Sequence, residues 1–236
     1  MKAQDSVKNY PSALREMTNF SVRGIKKICK DVGPRPAGSE QEHEAQKLMA
    51  AELDGACDKV EIEPFDVHPG AFLGWILTDG IMMIAAIVLF FFGMSVISLV
   101  LSALSLIFAI VEFLLYKKML DPFFPKKTSH NVVAVRKPKG EVKRRIFFNG
   151  HPDAAWEWPV NYKLGGVGFE GHAVICGIGA VYYLVISIML VAKNGLEYVS
   201  FDADETLGLL RLIGLVFVPF LIGLYWMWNE NRVVDG

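Results

Sequence analysis

Cysteine is scarce in these 236 residues: Cys29, Cys57 and Cys176 lie far apart and share no paired spacing. That argues against a disulfide framework and against a cysteine-built zinc site, and it fits a reducing compartment. No phosphate loop, dinucleotide fingerprint or basic-aromatic face is present, so nothing points to a nucleotide or a nucleic acid as partner. The opening residues are polar and mixed in charge, so a cleavable signal peptide is not expected. Charge is missing over long stretches. From Ala71 to Tyr116 only Asp79 and Glu112 carry it.

The composition is 53% hydrophobic, too apolar for an ordinary soluble domain. A bilayer core takes about 20 apolar residues per helix, so residues 71–116 are long enough for two spans. Gly93-Met94-Ser95 is the natural turn between them, with Trp75 and Tyr116 placed as interfacial aromatics. A second apolar pair runs over residues 171–228, with one span from His172 to Ala192 and another from Leu207 to Trp228. The latter carries Arg211 near its start, Pro219 inside it, and Tyr225, Trp226 and Trp228 as an aromatic belt at its exit. Both pairs read as helical hairpins.

The remaining segments read as soluble. Residues 1–70 predict an amphipathic helix from Pro11 to Lys30, an ordered loop over Gly33–Gly38, a helix opened by the capping pair Ser39 and Glu42, and an edge strand at Val60 and Ile62 before Pro64. Residues 117–170 predict a strand over Asn131–Val135, a turn at Lys137–Gly140, a second strand over Arg144–Phe148, and a loop over Ala154–Gly171. Basic residues crowd into these two segments, while the connection carrying Glu197, Asp202, Asp204 and Glu205 has only Lys193 as a cation. The positive-inside rule then puts both soluble segments and the C-terminus on the cytoplasmic side of a multi-pass cell-membrane protein, with the lipid bilayer as a partner. The expected fold class is α/β combined with four transmembrane helices in two hairpins.

The chemistry centres on Ile146-Phe147-Phe148-Asn149-Gly150-His151-Pro152-Asp153. A short apolar run behind a basic pair reads as a buried strand of a parallel sheet, and ligand groups gather beyond the carboxyl ends of such strands. His151 there is a candidate metal ligand, with Asp153 fixing its tautomer through the other ring nitrogen. Two other readings compete. His-Pro-Asp also marks the chaperone J-domain, where it joins two helices, and a histidine at a strand end equally serves as a turn cap. His43, His68, His130 and His172 read as solvated or interfacial side chains.

The order Gly33-Pro34-Arg35-Pro36-Ala37-Gly38-Ser39, then Asn131-Val132-Val133-Ala134, then a strand into His151-Pro152-Asp153, resembles the first third of a zinc aminopeptidase of metallopeptidase family twenty-eight. The resemblance covers most of residues 11–70 and 128–159, with the spans as insertions. It implies part of a zinc-exopeptidase core, two zinc ions, a peptide substrate, His151 as a ligand of one zinc and Asp153 as its orienting carboxylate. Ala154 departs from the hydroxyl residue that many relatives carry there. Trp156 and Trp158 would form part of the pocket wall, or serve as interfacial anchors. The resemblance further implies that Val233-Val234-Asp235-Gly236 approaches the segment bearing a metal-bridging aspartate. Residues 229–236 would then begin a missing remainder that holds the other ligands, and this chain alone would be an inactive fragment.

Two further readings stay open. A non-catalytic relative would keep the fold as a membrane scaffold. A transporter would use Asp79, Glu112 or Arg211 along a path, although their places near span ends favour snorkelling or a buried pair.

Overall fold

The computed structural model describes residues 9–197 and 205–234. Of the segments singled out above, Asp202, Asp204, Asp235 and Gly236 lie outside the described residues. Helix predominates, with two small sheets, and the chain divides into two compact units. One comprises residues Met1–Val67, Lys127–Trp156 and Glu230–Gly236; the other comprises His68–Lys126 and Glu157–Asn229.

In the first unit, α1 (Tyr10–Asp31) opens with proline in its first turn, as its sequence predicts, and buries no residue. The helix α2 (Glu40–Asp54) starts at Ser39, whose hydroxyl accepts the Glu42 N–H at 3.1 Å. Glu42 is only 4% exposed, and its carboxylate accepts from the Gly38 N–H at 2.6 Å and the Ser129 hydroxyl at 2.9 Å. Gly38 is obligatory for two reasons: its φ is +69°, and a Cβ would stand 2.8 Å from that of Lys127. β1 (Lys59–Val67) pairs antiparallel with β2 (Lys127–Val135), in register from Lys59↔Val135 to Val67↔Lys127. β1 is an edge strand in this two-stranded sheet, which is where Pro64 can be tolerated.

One expected element does not form. Arg144–Phe148 is not a strand but irregular chain, with Ile146, Phe147 and Phe148 75%, 85% and 96% exposed. The local apolar pattern is real, but a parallel strand takes its hydrogen bonds from neighbours and its burial from covering helices. Among the described residues β2 pairs only with β1, so nothing receives the run. The J-domain arrangement is also absent, because irregular chain rather than a helix leads into His151.

The second unit is a helical bundle. α3 (Ala71–Phe91) and α4 (Ser95–Phe108) turn at Gly93, whose φ of +76° meets the tight reversal, and α4 continues as a π-helical turn over Ala109–Leu114. α5 covers Pro159–Asn194 and is interrupted at Gly165, which adopts φ +69°. Helix therefore begins well before the expected start at His172 and, on both sides of the break at Gly165, replaces most of the expected loop, because Pro159 suits a first turn. The last pass is α6 (Glu205–Gly214), a 3-10 turn over Leu215–Phe217, α7 (Val218–Gly223) and a second 3-10 turn over Leu224–Trp226. Pro219 falls in the first turn of α7. Four helices, Ala71–Phe91, Ser95–Leu114, Pro159–Asn194 and Gly208–Trp226, are long and apolar enough to cross a membrane. β3 (Trp156–Glu157) and β4 (Asn229–Val233) form the second sheet.

Small side chains bring the bundle helices together. Ser95, Ser98, Ser102 and Ser105 form a buried stripe along α4, and Ser98 Oγ lies 3.1 Å from Ser187 Oγ of α5. Such stripes let backbones approach closely where water supplies no driving force. Phe90 meets Tyr183 edge to face at 6.0 Å, and the Arg211 guanidinium lies 5.3 Å from the Phe90 ring centre. Asp79 and Arg211 are 8% and 1% exposed. Both are packed inside the bundle, so neither snorkels outward.

Candidate functional site

His151, Pro152 and Asp153 sit on irregular backbone, and what positions them is the loop after α1. Arg35 is 8% exposed. Its Nε donates to the Pro152 carbonyl at 2.6 Å and its Nη1 to the Gly33 carbonyl at 3.1 Å. Its own carbonyl accepts the Ala154 N–H at 2.9 Å. Through its side chain and its own backbone carbonyl, Arg35 thus ties the Gly33–Gly38 loop to the backbone on both sides of Asp153, two segments more than a hundred residues apart in sequence. Downstream, the Val234 N–H donates to the Ala155 carbonyl at 3.0 Å.

On this held backbone His151 Nδ1 lies 3.1 Å from Asp153 Oδ1. The carboxylate accepts the Nδ1–H, which leaves Nε2 as the basic nitrogen. The His151 side chain is 85% exposed and that of Asp153 is 33% exposed, so the ring is oriented but not enclosed. A metal ligand with an orienting carboxylate takes this form. A catalytic zinc needs about three protein ligands, and among the described residues no group of three histidine, cysteine or acidic side chains stands close enough to supply them. The pair fits one ligand position and its support.

The two tryptophans part company. Trp156 is half-buried in β3, whereas Trp158 belongs to the bundle, with its ring 4.8 Å from Phe169. The other histidines have other partners. His43 and His130 stack with ring centres 3.9 Å apart. Burial, followed by the charge of His43 alongside, holds His130 below the usual imidazole range. His68 Nδ1 donates to the Phe124 carbonyl at 2.8 Å, and His172 packs 5.7 Å from Phe220.

Arg35 is the residue that motif reading passed over. Its signal was an arginine between two prolines in a loop that cannot be helical, where a long donor can fork onto a distant strand end. Comparison with protein-family models, curated proteins and solved structures finds no match for this chain.

Proposed function

We propose that this chain is part of a membrane-bound zinc-dependent exopeptidase of aminopeptidase type, with both soluble segments on the cytoplasmic face. The observation that carries the reading is the His151–Asp153 hydrogen bond on a backbone clamped by Arg35. Turn capping alone does not explain why a buried arginine fixes the peptide groups flanking the acid.

In this reading His151 holds zinc through the ring nitrogen that Asp153 does not engage. Asp153 keeps the ring in the ligating tautomer, and Arg35 positions both by gripping Pro152 and Ala154. Zinc, when bound, lowers the pKa of a coordinated water and polarises the scissile carbonyl. Among the described residues no further ligand stands beside His151 and Asp153. The excess of basic residues between Lys117 and Lys163 supports the cytoplasmic placement.

The reading is tested in membranes carrying the full-length gene product, with release of N-terminal residues from peptides as the readout. Zinc-dependent turnover that His151→Ala abolishes is the expected result. Turnover unaffected by that substitution removes the site from the mechanism.

A further inference from the structure

The helical bundle encloses a cavity of about 430 Å³, within the roughly 300–1,000 Å³ of small-molecule sites. Its lining runs along α3 from Phe72 to Met83, which at 1.5 Å per residue is a length of about 16 Å. The space is therefore long and narrow. Its walls are almost wholly apolar, and aromatic rings of Trp75, Tyr116 and Trp158 stand at the end where α3 begins.

Two carboxylates reach this space, and they differ. Glu112 Oε1 already accepts the Leu120 N–H at 2.7 Å. Asp79, deeper in, is 8% exposed and is hydrogen-bonded by Ser105, while its Oδ1 has no hydrogen-bond partner. A buried acceptor left unpaired is costly, and the cost is removed when a donor is delivered to it. An alkyl chain satisfies the walls but not Asp79. A free polar solute satisfies Asp79 but not the walls.

We infer that this cavity binds a single-chain amphiphile whose headgroup donates a hydrogen bond to Asp79. The headgroup chemistry common to long-chain amines and long-chain alcohols meets this requirement, and both occur among lipids. The apolar tail lies along Leu73, Ile76, Leu221 and Leu224. Gly177 provides the means to block it: it lines the cavity, and a Cβ there would meet nothing within 4 Å, so Gly177→Leu adds bulk at the wall without a clash at its Cβ. This inference rests on the bundle alone and is independent of the zinc reading.

The experiment places the purified full chain in phosphatidylcholine nanodiscs and follows tryptophan fluorescence, since Trp75 and Trp158 border the cavity. Chain-brominated hexadecylamine, the matching alcohol and the matching headgroup-free alkane are titrated as quenchers. Saturable quenching is expected for the amine, the alcohol or both, about tenfold tighter than for the alkane. Whichever is tighter identifies a cationic or a neutral headgroup. Asp79→Leu should erase the advantage over the alkane, and if that variant does not fold, Asp79→Asn should lower the amine's affinity relative to the alcohol's. Gly177→Leu should abolish saturable quenching while leaving the melting transition in place. Equal affinity for alkane, amine and alcohol overturns the inference, as does saturable quenching that survives Gly177→Leu.

Discussion

The bundle buries a set of its large apolar side chains between helices, whereas the first unit leaves the apolar run Ile146–Phe148 uncovered. In the bundle Met83, Ala86, Phe90, Tyr183 and Leu190 are at most 1% exposed, packed between helices whose backbones satisfy their own hydrogen bonds. In the first unit the apolar run Ile146–Phe148 stands in the open. The difference lies in where each element finds its partners. A spanning helix completes its ladder within its own segment, and its neighbour follows after a short turn. A sheet strand completes its ladder only with chain that comes from elsewhere. In the first unit two polar clamps join distant segments, Glu42 between Gly38 and Ser129, and Arg35 between Gly33 and Pro152.

The largest expected effect is in the bundle. A Cβ at Gly179 would lie 2.9 Å from the Phe217 ring, so Gly179→Leu should cost at least the upper end of the roughly 1–3 kcal/mol typical of overpacking. Thermal unfolding of the purified protein in nanodiscs measures it. A melting curve like that of the parent would mean that α5 does not approach Phe217.

Next comes the polar clamp. Glu42→Ala leaves the Gly38 N–H and the Ser129 hydroxyl without their charged acceptor and should cost about 2 kcal/mol, read as faster amide exchange over residues 38–46 and 127–131. If exchange there is unchanged, the unit is held by something other than this clamp.

The smallest effect is expected where the sequence looked most like a core. Phe147 is 85% exposed, so Phe147→Ser should change stability by no more than about 0.5 kcal/mol. A loss as large as that of the Glu42 variant would show that the run is packed in the protein, and the contrast between the two units would collapse.

The same contrast explains what was legible in the sequence. The four helices long and apolar enough to span were visible because hydrophobic length is a local property, and Gly93 marked the first hairpin turn because only its own φ was at stake. Ser39 and Glu42 announced a helix start for the same reason. The early start of α5 was hidden because its glycine-rich first turns imitate a loop. The strand at Arg144–Phe148 was misread because β-pattern reports propensity and not the presence of a neighbour. The His151–Asp153 contact was readable from spacing, but the Arg35 clamp joins residues 117 positions apart, and nothing in either segment names the other.

Metal content decides the proposed zinc ligation by His151, with Asp153 as the orienting carboxylate. Zinc bound to the purified full-length product is measured for the parent protein, His151→Ala and Asp153→Asn. Bound zinc is expected in the parent, with affinity lowered by about 10–100-fold in Asp153→Asn and zinc lost in His151→Ala. The same zinc affinity in the His151 variant as in the parent would contradict that ligation.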